Sequence, residues 1–309
     1  MQALDELIRS RLESDVVLIR NIAEYIIAAG GKRLRPALVL LAAGATGYRG
    51  ENHIELAAVV EFIHTATLLH DDVVDKSELR RGRRTANAEF GNAASVLVGD
   101  FLYSRAFQMM VGTKNNRVME VLADATNTIA EGEVLQLMNT HNFGVNESAY
   151  LDVIRRKTAK LFEAAAQLGA ILGAANMGIE QGLARYGMHL GTAFQLIDDV
   201  LDYSGDAAQT GKNLGDDLNE GKPTLPLIHV MQHGSPQQAE LVRAAIEHGG
   251  RNEFEPVIAA IRATGALEYA RRMAEEEVRE ARKAIAELTK STYKDSLLEL
   301  TTFAVERVY

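Results

Sequence analysis

The chain has 309 residues, with 33 Lys plus Arg against 42 Asp plus Glu, a net charge of −9, no Cys and no Trp. The absence of cysteine excludes disulfide frameworks, thiolate zinc sites, iron–sulfur clusters and thiol nucleophiles. The acidic balance argues against a nucleic-acid binder, and 47% hydrophobic with 24% charged residues is the composition of a soluble chain with a large core. The first fifteen residues mix acids and bases and lack the apolar region of a signal peptide. Apolar runs such as ALVLLAAGA at 37–45 are shorter than the ~18–20 residues of a membrane span. No integral membrane segment is expected, and the expected location is cytoplasmic.

Helical apolar spacing runs through Leu4, Leu7, Ile8, Leu12, Val16, Ile19, Ala23 and Ile26. It predicts one helix over 4–27, stopped by Gly30 and Gly31. Further helices are predicted at about 35–46, 53–77, 91–110, 115–139, 147–175 and 180–204, with shorter ones to the end. The five prolines are Pro36, Pro223, Pro226, Pro236 and Pro256, so the long middle of the chain has none, as uninterrupted helices require. Strand patterning is hard to find. The Gly-rich, polar stretch at 210–222 reads as a loop, and the E/R/A-rich run at 268–287 as a solvated amphipathic helix. These readings give a single all-α domain over 1–309.

One carboxylate pattern occurs twice: D-D-V-V-D at Asp71, Asp72 and Asp75, and D-D-V-L-D at Asp198, Asp199 and Asp202. In each, the first and third aspartates are four apart and share a helix face. Like charges at that spacing repel by roughly 0.2–0.5 kcal/mol. A hard divalent cation such as Mg²⁺ compensates them, binding one or two carboxylates together with substrate phosphates. Basic clusters stand nearby. E-L-R-R-G-R-R supplies Arg80, Arg81, Arg83 and Arg84, and G-G-K-R-L-R-P supplies Lys32, Arg33 and Arg35 at a helix entry. Arg forks and helix N-termini both bind phosphate. Lys212 and Lys222 flank the 210–222 loop and could close over a phosphate. His64 lies two turns before Asp71, and Gln195 one turn before Asp198 and Asp199. Taken alone, each also reads as an ordinary interior polar residue. Gly211-Lys212-Asn213 is no Walker A motif, His229 and His233 lack the Glu of a zincin, and Ser204 lacks a nucleophile-elbow frame.

G-G-K-R-L-R-P, L-L-H-D-D-V-V-D-K-S-E-L-R-R-G, Lys157-Thr158, F-Q-L-I-D-D-V-L-D and G-K-N-L-G-D-D occur in that order from about residue 20 to 230. This order resembles the trans-polyprenyl diphosphate synthases. E-G-E-V-L-Q-L-M-N at 131–139 is most similar to the octaprenyl diphosphate synthases of bacteria. The resemblance implies an isoprenoid-synthase fold of long helices around a central apolar cavity, with the two Asp motifs facing across its mouth. It implies that the six aspartates hold Mg²⁺. It also implies that Lys32, Arg35, His64 and Arg81 bind isopentenyl diphosphate, and that Arg80, Lys157, Lys212 and Lys222 bind the allylic diphosphate. Thr158 and Gln195 would lie near the developing cation.

The reaction implied is ionisation of the allylic diphosphate, attack by isopentenyl diphosphate and loss of a proton. No organic cofactor takes part. Ala66 and Thr67, one turn before Asp71, are small where short-chain relatives carry an aromatic floor, so the growing chain is expected to pass them. Met109, Met110, Leu122 and Met138 are candidates for a deeper stop. The expected product is octaprenyl diphosphate for quinone side chains, made by a homodimer. The alternatives are a nonaprenyl or geranylgeranyl synthase, a class I terpene cyclase, and an inactive regulatory subunit.

Overall fold

The computed structural model describes residues 1–28, 30–80, 82–204, 214–250 and 253–307. It is helical nearly throughout. The elements are α1 (Gln2–Arg11), α2 (Val17–Ala28), α3 (Leu34–Ala45), α4 (Asn52–Val74), a hairpin of β1 (Leu79–Arg80) and β2 (Arg83–Arg84), α5 (Ala86–Phe90), α6 (Asn92–Gly112) and α7 (Asn116–Asn139). There follow α8 (Glu147–Ile154), a π-turn (Arg155–Ala159), α9 (Lys160–Leu172), α10 (Met177–Ser204), α11 (Asp216–Asn219), α12 (Leu225–His233), α13 (Pro236–His248), α14 (Phe254–Thr264), α15 (Ala266–Ala284) and α16 (Thr292–Glu306). The proline pattern has a simple cause. Pro36, Pro226, Pro236 and Pro256 each stand in the first turn of a helix, where the missing N–H has no partner to lose.

Several expectations need correction. The helix expected over 4–27 is two helices. Ser14 breaks it: its Oγ accepts from the Val16 amide at 3.2 Å and its carbonyl accepts from Arg20 at 2.8 Å, a local bond that competes with the helix. The apolar rhythm continues in phase across the break and so hides it. The helix expected over 147–175 is interrupted by the π-turn. Residues 216–219 of the expected 210–222 loop form α11, while 210–213 lie outside the described residues.

The described chain forms two compact units. One comprises 1–126, 161–184 and 287–297; the other comprises 127–160, 185–286 and 298–309. In the first, α4 packs along α3 and α6 and buries Leu56, Val59, Val60, Phe62, Ile63 and Ala66. There α9 runs close against α3. A Cβ at Gly169 would overlap Ala42 and the Ala43 amide, so only glycine permits this approach.

In the second unit, α15 lays Ala266, Ala270, Ala274, Val278 and Ala281 on one buried face. Small residues at this spacing let the helix sit close to Leu196, Ile197, Val200, Leu225 and Ile228. Each of those large side chains contributes roughly 1.5–3 kcal/mol by burial. The charge run on α15 is not wholly solvated as expected. Glu277 is buried and accepts from Arg155 (3.0 Å) and His189 (2.5 Å).

Candidate active site

In the first unit, α4 carries His64, Asp71 and Asp72, and Asp75 closes its last turn. Asp71 and Asp75 are half-buried; Asp72 is buried. Arg80 on β1 meets Asp72 with Nη2 at 2.7 Å and Nε at 2.9 Å from Oδ1, and with Nε at 3.2 Å from Oδ2. Burial opposes the guanidinium's charge, but Asp72, with Asp71 and Asp75 behind it, outweighs burial and raises the pKa of Arg80. The hairpin that presents Arg80 is tied back to α4. The Ser77 amide and Asn87 Nδ2 both donate to the Asp72 carbonyl, at 3.0 and 3.1 Å.

At the entry to α3, Arg33 adopts a left-handed conformation (φ 50°) as the N-cap and pairs with buried Glu61. Arg35 Nη1 lies 3.2 Å from His64 Nε2, and its guanidinium sits 4.4 Å over the Phe162 ring. The structure thus joins Arg35 to His64; Lys32 is exposed. Arg81 lies outside the described residues.

In the second unit, one cavity is lined by Gln136, Tyr150, Lys157, Thr158, Gln195, Asp199, Asp217 and Lys222. The π-turn carries Lys157 and Thr158 into it, and α10 carries Gln195 and Asp199. Lys157 pairs with Glu133 and bonds Gln136, both at 2.5 Å. Lys222 pairs with Glu220 at 2.5 Å.

A polar chain runs from the π-turn to the acid motif. Thr158 donates to Gln195 Oε1 (3.1 Å), Gln195 Nε2 donates to Asp199 Oδ1 (2.8 Å), and Tyr150 donates to Asp199 Oδ2 (2.6 Å). Burial, with Asp217 nearby, pushes the Asp199 pKa up to about 8 despite the bonds from Tyr150 and Gln195. Asp202 Oδ2 accepts from the Asp217 amide at 3.3 Å. Lys212 lies outside the described residues.

The π-turn depends on α7. A Cβ at Gly132 would lie 2.6 Å from the Lys157 nitrogen and 2.8 Å from Arg156 Cβ. Gly132 therefore lets α7 approach the turn that carries Lys157. Single π-turns inside helices often mark functional sites.

Of the residues proposed to set chain length, Ala66 and Met110 are fully buried, as are Leu122 and nearly all of Met109. Thr67 is half-buried and donates to the His64 carbonyl at 2.8 Å. Met138 is 70% exposed; it belongs to the surface and is no candidate for a buried floor.

Residue-level reading missed Tyr150, Glu133, Gln136, Asp217 and Arg307. Gln136 and Glu133 stand inside E-G-E-V-L-Q-L-M-N, and Asp217 ends G-K-N-L-G-D-D, so their signal was present. Tyr150 and Arg307 lie in no motif.

The donors at both acid motifs are carboxylate oxygens, the set that hard divalent cations prefer. Asp199, buried with acidic neighbours and held near pKa 8, is a carboxylate short of positive charge, which a cation supplies. Among the described residues no three carboxylate or imidazole groups converge to hold a bare ion.

The sequence pattern described as Polyprenyl synthetase matches residues 16–263. This chain belongs to the polyprenyl synthetase family. It is 56% identical to an octaprenyl diphosphate synthase of Escherichia coli (strain K12), over 99% of this chain and 95% of that one. It is 47% identical to an all-trans-nonaprenyl-diphosphate synthase (geranyl-diphosphate specific) of Rhodobacter capsulatus, over 99% of this chain and 94% of that one. A polyprenyl synthase from Caulobacter crescentus CB15, solved with calcium and isoprenyl diphosphate, matches with TM-score 0.97 and 45% identity, covering 100% of this chain and 95% of that one. The synthase is therefore a prenyltransferase of the all-α isoprenoid-synthase fold, from a family that elongates prenyl chains and depends on divalent metal. Among its described residues no helix is long and apolar enough to cross a membrane.

Proposed function

We propose that this synthase condenses isopentenyl diphosphate with farnesyl or geranylgeranyl diphosphate to make octaprenyl diphosphate, a precursor of quinone side chains. The observation that carries the reaction is the cavity in which Lys157, Lys222, Thr158 and Gln195 meet Asp199. It combines cations for a leaving diphosphate with neutral oxygens for an allylic cation. The octaprenyl product is supported by the full-length similarity to octaprenyl diphosphate synthases. A nonaprenyl product is the second reading, favoured by the Rhodobacter capsulatus relative.

The proposed metal is Mg²⁺, held by carboxylates among Asp71, Asp72, Asp75, Asp198, Asp199 and Asp202. When bound it supplies stabilisation of the charge that grows on the diphosphate. Arg80, Lys157, Lys212 and Lys222 bind the allylic diphosphate, and their fixed positive charges act on its oxygens as the C–O bond breaks. Lys32, Arg35, His64 and Arg81 bind isopentenyl diphosphate and hold its double bond near the cation. The Thr158 hydroxyl and the Gln195 carbonyl face that cation with their oxygens. Apolar side chains exclude water, which would quench it. Ala66, Thr67 and Met110 bound the growing chain.

We further propose a single all-α domain over 1–309, acting in the cytoplasm as a homodimer. Support for the homodimer is an apolar stripe on α6, where Leu97 (66% exposed), Phe107 and Val111 stand open to solvent. Such patches mark interfaces.

The test is incubation of the purified chain with radiolabelled isopentenyl diphosphate and farnesyl diphosphate, with Mg²⁺ or with chelator, followed by chromatography of the product. Chelator-sensitive octaprenyl product is expected. No incorporation of isopentenyl diphosphate would leave a terpene cyclase or an inactive subunit, and a product stopping at geranylgeranyl would remove the long-chain reading.

A further inference from the structure

The second acid motif has a cationic partner outside every motif named above. Arg307, which follows α16, has a side chain only 3% exposed, whereas that of Asp198 is 42% exposed. Its Nη1 donates to Asp198 Oδ1 at 2.6 Å, its Nη2 donates to the Phe194 carbonyl, and its Nε donates to the Ala304 carbonyl at 3.2 Å. Its guanidinium carbon lies 3.6 Å over the Phe194 ring centroid.

These four contacts are unequal in kind. Two carbonyls and a ring fix the guanidinium whether or not Asp198 is present. Phe194 and Asp198 are four apart on α10, so the helix that anchors Arg307 also presents the carboxylate. Asp198 is the more exposed and less restrained member of the pair. The arginine is therefore the fixed group and the carboxylate the one being oriented. Among the described residues Asp198 Oδ2 accepts no hydrogen bond.

We propose that Arg307 is a positioning residue: it fixes the Asp198 carboxylate through Oδ1 and keeps Oδ2 available to the divalent ion. This rests on the reading of Asp198 as a metal-binding carboxylate. Arg307 has a competing effect of opposite sign, because a nearby positive charge repels a cation. A partner that acts by orientation strengthens metal binding, whereas one that acts by charge alone weakens it. Loss of an outer partner of a metal ligand typically costs about 10–100-fold in metal affinity or activity.

The test uses the full-length chain, Mn²⁺ as the metal and inorganic pyrophosphate as the anion, with free Mn²⁺ read by electron paramagnetic resonance. Arg307→Met is expected to weaken Mn²⁺ binding in the presence of pyrophosphate about 10-fold. Arg307→Lys, which keeps the charge but has no planar fork to lie on Phe194 and reach both oxygens, is expected not to restore it. Unchanged or tighter binding in Arg307→Met overturns the proposal, even with a lower melting temperature, as does full recovery in Arg307→Lys. Should Arg307→Met not fold, Phe194→Leu removes the platform alone; a smaller shift in the same direction is expected, and no shift overturns the proposal. Failure of the unmodified chain to bind Mn²⁺ with pyrophosphate would instead sink the reading of the site itself.

Discussion

At Asp199 one hydroxyl separates a fully bonded buried carboxyl from a half-bonded one. Tyr150→Phe removes the 2.6 Å bond to Oδ2 and leaves only Gln195. An unsatisfied buried group costs about 1–3 kcal/mol, so the variant should fold with reduced stability. Its kcat should drop at least tenfold with little change in KM for isopentenyl diphosphate, as steady-state kinetics will reveal. Ala66 is fully buried on α4, and Ala66→Phe should shorten the product sharply, at an overpacking cost of about 1–3 kcal/mol. An unchanged product length on chromatography, in protein shown to fold by circular dichroism, removes Ala66 from the wall of the chain channel. The two Asp motifs were legible as a repeated pattern over a few adjacent residues, whereas Lys157 and Thr158 entered through the family resemblance alone. Tyr150 and Arg307 were not legible, because their partners lie 49 and 109 residues away in sequence.

Among the elements, α7 and the π-turn form the most demanding junction. Gly132→Ala gains about 1 kcal/mol of helix propensity, but the new methyl meets the backbone at Lys157 and costs about 1–3 kcal/mol. The cost should win. Urea unfolding should show lower stability, and activity should fall further than stability explains, because the displaced segment carries Lys157 and Thr158. Equal or greater stability with full activity would show that the turn can move aside freely. The long helices were legible from apolar period and from the absence of proline through the middle of the chain. The break at Ser14 was not, because the apolar rhythm continues across it; nor was the π-turn, whose one extra residue is absorbed within five residues.

For the whole molecule, acid should act partly through Glu277. Burial alone would raise its pKa, but hydrogen bonds and charges from His189 and Arg155 outweigh burial and hold it below the usual carboxylate range. A depressed acid contributes stability that is complete above the ordinary value of about 4.3 and disappears as pH falls through the folded value. Glu277→Gln should therefore cost about 1–3 kcal/mol at neutral pH, less than the ~3–5 of a fully buried pair, since Arg155 is 45% exposed. It should also flatten the acid limb of a stability–pH curve measured by thermal melts. A parallel curve would assign the acid sensitivity elsewhere. Association should respond to the α6 stripe: Leu97→Glu should yield monomers in sedimentation velocity, and an unaltered sedimentation coefficient would place any interface elsewhere.

A π-turn holds one residue more than the α-helix would need. Deleting one residue from 155–159 would let α8 and α9 merge into a regular rod, so such a deletant should melt at higher temperature. The same repair would leave the flanks in place and shift the residues of the turn around the helix axis, carrying the Lys157 ammonium or its neighbours off the cavity. Here durability and turnover pull in opposite directions, and the irregular winding is a feature that selection for heat resistance alone would erase.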